Sequence, residues 1–527
     1  MINHTPEYET AVVGDVRRTY IRAILNLVSP NIIYGAVSGS AQDADYSRPD
    51  QVSDGVIDSG DTYETLEWNR LTLDGNTKIF PDTVSEIVGQ VGIVGAEICD
   101  GEGDFASPQI FVLAFSNVDV VQACSVIFSM DANNGTARDF TIEILRGDAV
   151  VYTKSYTGNR EGRVVAEGFS LNSPTAIRVS VTRWTVPYRR VRITELLPGL
   201  NETWNNDIFS AMSIAQQANF TNLVLPYGTC TLEIDNSDKR FEPRNKNSFF
   251  RSIEARQGIL ISIGVQLRDG SVEYMPIGKY YQFSGGWETS NNDLSIRWDL
   301  VDIIGMLTDR DFVVPETLPT TLEGWAEAVA AQLGTGFAKM YTVDAEYAQM
   351  PVTAKSAEAV SGLKCGDIIR YMCMATGTYA SADVYTGRLR IRTLPESGTT
   401  LTLDNLSSYP TTRGNDDIGA LLFTLSDGKQ LLFAGTEEAS NESMQIENPF
   451  LHTAAEAEAA AAMILRFYGG NQIECTGRGD PSTELGDVDQ IELGEGAIAT
   501  GRRIAQTFAY ESGVLQNCQS LYLEIDT

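Results

Sequence analysis

The chain has 527 residues and a formal net charge of −31 at pH 7, from 39 basic and 70 acidic residues. This length exceeds one ordinary hydrophobic core and predicts three or four domains. The negative charge is spread along the chain and opposes binding to phosphate backbones or anionic lipids, so we expect no sequence-specific nucleic-acid binding. Neither a membrane span nor a secretory signal is apparent, so we expect synthesis in the cytosol.

The cysteines and histidines restrict the chemistry that the chain can perform. Each of the seven cysteines lies apart from the others, without the spacing of a zinc site, which predicts buried thiols. They are Cys99, Cys124, Cys230, Cys365, Cys373, Cys475 and Cys518. Only His4 and His452 could act as a general base, and His4 lies in a terminus that we expect to fray. We therefore predict no catalytic residues, no metal site and no cofactor.

Strand-like segments dominate the first 200 residues. Residues 17–36 predict two opening strands. A loop-like stretch rich in Asp and Gly, Val52–Thr83, indicates a domain boundary. Short segments of period two follow between residues 108 and 197 and indicate a small β-sandwich of jelly-roll type. Within them, Arg146-Gly147-Asp148 predicts the turn of a β-hairpin.

A second antiparallel unit is predicted over residues 223–312. Asp269-Gly270 is a strong hairpin signal. Four apolar residues at alternate positions are expected to share one face of a strand: Leu294, Ile296, Trp298 and Leu300. Helices are predicted from Thr321, Cys365 and Thr453, the last with a capping box to Glu456. Strand-like sequence follows each helix, so the C-terminal third is predicted to be α+β with strands in the majority.

The stretch Thr476–Gly496, "TGRGDPSTELGDVDQIELGEG", combines an Arg-Gly-Asp tripeptide with a string of carboxylates. It permits an adhesion ligand, a cation loop, an acidic catalytic centre or a turn before a strand. The spacing of an EF-hand loop is absent, and a glycosidase pair depends on a distance that sequence does not give. We favour two turns, at Gly479-Asp480-Pro481 and Glu484–Asp487, followed by a strand over Val488–Leu493. The carboxylates are Asp480, Glu484, Asp487 and Asp489.

Two further candidate sites lie near the ends of the predicted sandwich. Asp100, Glu102 and Asp104 occupy alternate positions in a glycine-rich loop, which suits either a calcium site or a solvated loop. Trp184, Tyr188 and Arg189, with Arg190 beside them, suit either an aromatic and cationic platform for a glycan or packing beside a strand.

Several motifs resemble those of tail-hub proteins of long-tailed bacteriophages, also called tail-associated or baseplate hub proteins. Gly228–Pro243 resembles the family's strand ending in Asn-x-Asp and Phe-x-Pro. Gly278–Tyr281 and Asp302–Leu307 resemble its Gly-x-Tyr-Tyr and Asp-x-Ile-x-x-Leu segments. Asn448-Pro449 before a helix, and the two Gly-Asp turns of Thr476–Gly496, resemble a late domain of the family. The resemblance covers about residues 1–60 and 197–527.

The resemblance implies a mainly β fold with an α+β C-terminal part. Residues 1–60 and 197–312 would form a discontinuous hub β-barrel, 313–400 an α+β domain, and 401–527 a second barrel-like domain with a helix over 453–468. Residues 61–196 look like an inserted galactose-binding-like β-sandwich, a jelly roll of the kind often called a carbohydrate-binding module in phage hubs.

The function implied is structural rather than enzymatic. Related hubs are homotrimers in the virion at the tail tip, assembled in the host cytoplasm. They close the tail tube around the tape-measure terminus, and their partners are the distal tail protein ring and tip, fibre or receptor-binding proteins. The insert would contact a host cell-wall glycan. Two alternatives stay open: a glycan-binding or glycan-cleaving protein acting through the jelly roll, and the hub of a tailocin or contractile injection particle.

Overall fold

The computed structural model describes the chain outside a set of short segments. The segments not described are residues 1, 3, 15, 28–31, 40–45, 54–61, 64, 66, 69–76, 79–90, 119, 130–133, 238, 240–257, 291–293, 335–336, 397, 415–417, 436–442, 512 and 526–527. Most of the predicted boundary over Val52–Thr83 and the Phe-x-Pro motif lie outside the described residues. No helix in the described part of the chain has the length and hydrophobicity that a membrane span requires.

The fold is mainly β, as predicted. The first strands are β1 (Thr19–Leu27), β2 (Ile33–Ser38), β3 (Thr62–Tyr63), β4 (Thr77–Lys78), β5 (Ile93–Ile98), β6 (Asp104–Ser116), β7 (Val120–Phe128), β8 (Ala137–Arg146), β9 (Ala149–Tyr156), β10 (Arg163–Asn172), β11 (Ala176–Trp184), β12 (Arg190–Leu197), β13 (Leu200–Asn205) and β14 (Phe209–Gln217). The next are β15 (Thr229–Asp235), β16 (Gly258–Gln266), β17 (Val272–Ser290), β18 (Ser295–Val301), β19 (Tyr341–Val343), β20 (Tyr379–Ala382), β21 (Leu389–Arg392), β22 (Thr400–Leu401) and β23 (Thr411–Arg413). The last are β24 (Ala420–Thr424), β25 (Gln430–Ala434), β26 (Ser443–Glu447), β27 (Gln472–Gly477), β28 (Val488–Gly494), β29 (Ala497–Glu511), β30 (Val514–Leu515) and β31 (Cys518–Glu524).

Helices are fewer than strands and lie mostly in the C-terminal half. They are α1 (Pro6–Val13), α2 (Ile303–Thr308), α3 (Leu322–Ala330), α4 (Ala345–Ala348), α5 (Ala357–Val360), α6 (Cys365–Thr376) and α7 (Ala454–Tyr468). The three predicted helices are confirmed as α3, α6 and α7, and α7 has the predicted capping box between Thr453 and Glu456. Helix α1 was not predicted: its N-cap is the Thr5 side chain, and it contributes Tyr8 and Val12 to a small core.

The chain divides into two compact units: Met1–Ile24 with Thr203–Thr527 (unit 1), and Leu25–Glu202 (unit 2). The main sheet of unit 1 has 14 described strands in the order β13-β1-β16-β17-β18-β15-β14-β29-β31-β27-β23, with β28 and β30 beside β29 and β22 beside β28. Its central pairing is antiparallel, from Ala211 opposite Glu511 to Gln217 opposite Ala505. Strands from two distant parts of the chain are thereby joined in one sheet.

The predicted strand after Leu294 is confirmed with one correction. Ile296, Trp298 and Leu300 of β18 are buried on one face, as alternation predicts. Leu294 does not share that face: it precedes the strand, has φ +49°, and is 42% exposed. Because Leu294 has a left-handed backbone conformation, the chain turns there before the strand pairing of β18 begins. The alternation of buried and exposed side chains therefore does not extend back to Leu294.

Helices of unit 1 cover two small sheets. Helices α3 and α6 pack with the sheet β19-β21-β20 around Trp325, Ile368 and Ile391. Helix α7 packs its alanine-rich face against the sheet β25-β24-β26. This arrangement is the α+β part that the sequence predicted.

Unit 2 is a β-sandwich, with sheet orders β10-β7-β12-β5 and β2-β6-β11-β8-β9. The two sheets share one apolar core, to which β8 and β11 contribute Ile142 and Val179, and β7 and β12 contribute Val126 and Ile193. The hairpin predicted at Arg146-Gly147-Asp148 is confirmed, since Arg146 pairs with Ala149. Strand β2 pairs with β6, so residues 33–38 lie in the sandwich rather than in the predicted barrel segment 1–60.

Candidate functional site

Gly228, Tyr280 and Asp302 belong to three of the segments that resemble tail-hub motifs. They lie far apart in the sequence but meet in unit 1. The Asp302 carboxylate accepts hydrogen bonds from the backbone amides of Gly228 (2.6 Å) and Gly305 (2.9 Å), and so caps helix α2. A Cβ atom at position 228 would lie 2.8 Å from Asp302 Oδ2 and 3.5 Å from the Tyr280 ring. Burial raises the pKa of Asp302 to about 6, against the effect of these backbone amides.

A pair of glutamines connects this region to the late hub-like segment; we call it the amide bridge. Gln506 Nε2 donates to Gln216 Oε1 at 2.7 Å, across the pairing of β29 with β14. Gln216 in turn donates to Ile277 O at 2.8 Å and to the Tyr280 hydroxyl at 3.3 Å. Thr483 Oγ1 donates to Gln506 Oε1 at 3.0 Å. Neither glutamine was singled out from the sequence, because polar residues in strands carry no pairing signal.

The stretch Thr476–Gly496 forms the two predicted turns and the predicted strand. Asp480 Oδ1 accepts from the backbone N–H (2.9 Å) and the hydroxyl (2.8 Å) of Ser482, and from the Tyr8 hydroxyl at 3.2 Å. Arg17 donates to Gly479 O at 2.6 Å. Residues near the N-terminus therefore hold the first turn in place.

Farther along, the carboxylates bind groups of the same chain. The Glu484 backbone N–H donates to Asp487 Oδ2 at 2.8 Å, which closes the second turn. Asp489 is fully buried, lies 2.5 Å from Arg503, and accepts a hydrogen bond from the Thr399 backbone at 2.8 Å. Asp480 and Asp487 stabilise the two turns favoured from the sequence, whereas the ion pairs of Glu484 with Arg392 and of Asp489 with Arg503 were not predicted.

Both histidines contact groups within unit 1. His4 Nδ1 lies 2.8 Å from Ile2 O, and its Nε2 lies 3.3 Å from Glu9. His452 lies between Ser426 Oγ and Thr353 O, at 2.7 Å from each. The group opposite Ser426 on the His452 ring is thus a backbone carbonyl, where a Ser-His-Asp triad has a carboxylate.

The prediction of buried thiols is confirmed, since all seven cysteines are free and buried. Burial raises the pKa of Cys365 and Cys373 to about 12 and that of Cys475 to about 11. Such thiols are weak nucleophiles near neutral pH.

In unit 2, the loop with Asp100, Glu102 and Asp104 is organised by its own backbone. Asp100 Oδ1 accepts from the backbone amides of Glu102 (2.8 Å) and Asp104 (2.9 Å), which lower the pKa of Asp100. Arg183 donates to Glu102 O at 3.0 Å and lies 3.4 Å from Asp104 Oδ1. No group of three His, Cys, Asp or Glu side chains among the described residues is placed to hold a metal ion. The contacts of Asp100 and Arg183 within the loop fit the alternative of a solvated loop.

The three predicted glycan-contact residues have different environments. Trp184 is 1% exposed, packs edge-on against Phe128, and donates its indole N–H to Asn134 O at 2.6 Å. Arg189 is mostly buried and donates to Trp68 O at 2.7 Å. Of the three, only Tyr188 is exposed, at 39% of the residue. Trp184 therefore packs in the sandwich core rather than on a surface platform.

An aromatic residue that sequence reasoning passed over lies beside Tyr188. Trp68 is 62% exposed, and its ring centroid is 4.8 Å from that of Tyr188, with the planes inclined by 43°. Trp68 lies in the loop-like stretch Val52–Thr83, and Tyr188 lies 120 positions later, near the end of the strand-rich segment. No local sequence pattern therefore predicts the pair.

Comparisons with known proteins found likenesses among solved structures only. No family model and no curated protein matches the chain. A 43 kDa prophage tail protein from Shewanella oneidensis is 15% identical, with a TM-score of 0.39 over 62% of this chain and 95% of that one. A tail protein from Neisseria meningitidis is 12% identical, with a TM-score of 0.42 over 62% and 94% of the two chains. A prophage tail protein from Listeria monocytogenes is 9% identical, with a TM-score of 0.39 over 62% and 91%. At these identities and TM-scores, the matches assign no function to this chain.

Proposed function

We propose that this chain is a structural subunit of the hub at the distal end of a bacteriophage tail. Three copies form a ring that closes the tail tube around the tape-measure terminus and lies against the distal tail protein ring. The ring also connects the tube to tip, fibre or receptor-binding proteins. The protein acts in the virion after assembly in the host cytoplasm, and it acts through surfaces rather than catalysis.

The observation that carries this proposal is the way the hub-like segments come together. Gly228, Tyr280 and Asp302 meet at one place, and the amide bridge joins them to Thr483 in the late segment. Motifs that are separated along the chain are thus in contact in the folded structure. A family resemblance made of weak single motifs gains support when its motifs meet in one structure.

The pairing of β14 with β29 suits a ring subunit. It holds an early and a late group of strands in one hydrogen-bonded sheet, so the two groups move together. Two barrel-like elements per chain in a trimer would present a pseudo-six-fold surface to a six-fold tail. A net charge of −31 would let DNA pass through the ring without adhering, since like charges repel.

Unit 2 would act as a module that contacts a host-surface glycan. Unit 2 has its own apolar core, and the strands of its two sandwich sheets pair only with one another. Replacing residues 33–197, which include β2 and the rest of the sandwich, by another sandwich should therefore change host adsorption while tails still assemble. Loss of tail assembly in that replacement would contradict the modular role.

Negative-stain electron microscopy of the purified chain, combined with its mass in solution, tests the ring. Three chains of 57.6 kDa give about 173 kDa, and we expect three-fold rings of that mass. A discrete monomer would contradict self-assembly of the ring and favour the alternative of a glycan-binding protein. Rings of another symmetry would contradict the trimer.

A further inference from the structure

Trp68 and Tyr188 form an exposed aromatic pair in unit 2. Their centroids are 4.8 Å apart, and the planes meet at 43°, so the two rings make a shallow corner rather than a flat stack. Trp68 is the more exposed of the two, at 62%. Large aromatic side chains contribute much of the binding energy where they remain accessible, because they bring a wide apolar face with few rotatable bonds.

Contacts made by Glu67 and by the Trp68 backbone hold Trp68 in this exposed position. The side chain of Glu67 is fully buried and ion-paired with Arg192, whose Nη1 donates to it at 2.8 Å. Glu67 also accepts from the Arg190 backbone N–H at 2.7 Å, and Arg189 donates to Trp68 O at 2.7 Å. These contacts fix the backbone at residues 67 and 68. The indole is therefore presented to solvent from a fixed base, which lowers the entropic cost of binding.

Tyr188 is held from the other side in a backbone conformation that is rare for its type. Its φ is +57°, in the left-handed region, which costs on the order of 1 kcal/mol or more for a residue with a Cβ. Its backbone N–H donates to Asp100 O at 3.3 Å. Its hydroxyl lies over Gly101, where a Cβ atom would be 2.8 Å away. The ring is thereby placed between the acidic loop and Trp68.

The surroundings of the pair select among ligands. In the loop that Tyr188 lies over, the carboxylates of Asp100 and Glu102 are exposed, whereas that of Asp104 is paired with Arg183. Carboxylates accept hydrogen bonds from sugar hydroxyls, whereas they repel phosphate, sulfate and uronate groups. A pyranose ring is about the size of one indole face. A stable protein partner would need roughly 800 Å² of contact on each side, which two rings do not supply.

We propose that Trp68 and Tyr188 form the contact site for a neutral saccharide, with Trp68 as the principal stacking residue. This inference rests on the glycan-contact part of the proposed function and replaces Trp184 by Trp68 in it. Arg189 and the Glu67–Arg192 ion pair are positioning residues, since they hold the pair without facing the ligand. The acidic loop gives the site its preference for uncharged over anionic sugars.

The test uses the full chain on a printed array of neutral and anionic glycans, followed by calorimetric titration with the glycans that bind. We expect binding to neutral glycans, at least a tenfold loss of affinity in Trp68→Ala, and wild-type affinity in Tyr409→Ala. Tyr409 is 71% exposed and lies in unit 1, so it controls for loss of any accessible aromatic ring. The melting temperature of Trp68→Ala should equal that of the wild type, because the indole is mostly outside the core.

Wild-type affinity in Trp68→Ala, binding restricted to anionic glycans, or no binding to any glycan on the array would each overturn the site. Electron microscopy of the same samples separates this result from the hub proposal. Rings that bind no glycan would refute the site and leave the hub intact. Glycan binding lost in Trp68→Ala but without rings would support the site and refute self-assembly of the hub.

Discussion

The side-chain amides of Gln216 and Gln506 lie 2.7 Å apart and link strands that are 290 positions apart in the sequence. Gln506 is 3% exposed, so Gln506→Leu leaves the groups that it binds without a partner in a buried place. We expect a loss of about 1–3 kcal/mol in the free energy of unfolding, measured in urea. The double variant Gln216→Leu/Gln506→Leu should lose less than the sum of the single variants.

Gln490→Leu is the matched control for the amide bridge. Gln490 also donates a side-chain hydrogen bond to a neighbouring strand, at 3.0 Å to Thr500, but it is exposed. Water replaces the lost bond there, so we expect a change within about 0.5 kcal/mol. Strict additivity in the double variant would contradict a direct interaction between the two amides.

The buried ion pair of Asp489 and Arg503 predicts a large effect of removing one charge. Their side chains are 0% and 5% exposed, so Asp489→Asn leaves a buried guanidinium without its counter-charge. We expect a destabilisation of about 3–5 kcal/mol in urea unfolding. Arg413→Gln breaks the exposed pair with Glu474 and should cost at most about 1 kcal/mol. Equal effects of the two variants would refute the burial argument.

The two Arg-Gly-Asp tripeptides predict different responses to the same substitution. Gly147 and Gly479 both have positive φ, at +58° and +69°. A Cβ at position 147 meets nothing within 4 Å, whereas one at position 479 lies 2.7 Å from both Cβ and Sγ of Cys518. We expect Gly147→Ala to cost about 1 kcal/mol, from backbone strain alone, and Gly479→Ala to cost clearly more. Calorimetric melting of both variants checks this, and a larger effect at position 147 would count against it.

Glu67 predicts a pH dependence of stability in the acid range. Burial would raise its pKa, but the hydrogen bond and charge of Arg192 outweigh burial and lower it from 4.5 to about 2. Between these values the unfolded chain binds more protons than the folded one, so stability falls as the pH falls from about 4.5 to about 2. The stabilisation present above pH 4.5 is roughly 3 kcal/mol.

Glu67→Gln should therefore flatten the stability profile between pH 4.5 and 2, measured by urea unfolding at a series of pH values. Glu161→Gln, at an exposed position of the same unit, should keep the wild-type slope. An unchanged slope in Glu67→Gln would mean that other groups dominate the acid response.

The buried thiols predict resistance to modification. We expect Ellman's reagent to react slowly with the native chain, because burial restricts access and raises the thiol pKa values. In concentrated guanidinium chloride, where the chain is unfolded, we expect all seven thiols to react. Ser107→Cys, at an exposed position, should add one fast-reacting thiol. Fast reaction of a native cysteine would show that its surroundings open readily.

Period-two alternation, turn residues and caps made most of the fold predictable. The hairpins at Gly147 and Gly270 and the capping box at Thr453 are encoded within a few neighbouring residues, so local patterns suffice for them. The pairing of β14 with β29 and the contact of Trp68 with Tyr188 join residues far apart, and no local pattern encodes them. The sequence left two alternatives open for Trp184, because the same pattern of aromatic and basic residues fits a ring that faces the core and one that faces solvent, and the structure places it in the core.

The contacts between the N-terminal segment and the turn at residues 478–482 set an order for biosynthesis. Arg17 binds Gly479, and Tyr8 binds Asp480, across more than 460 positions in each case. Unit 1 therefore cannot close until nearly all of the described chain has left the ribosome, while the sandwich core can form as soon as residue 197 emerges. Strand β14 must wait with one edge unpaired during this time, because its partner β29 is made nearly 300 residues later. Slow synthesis after residue 202 would prolong that exposure and favour aggregation over assembly.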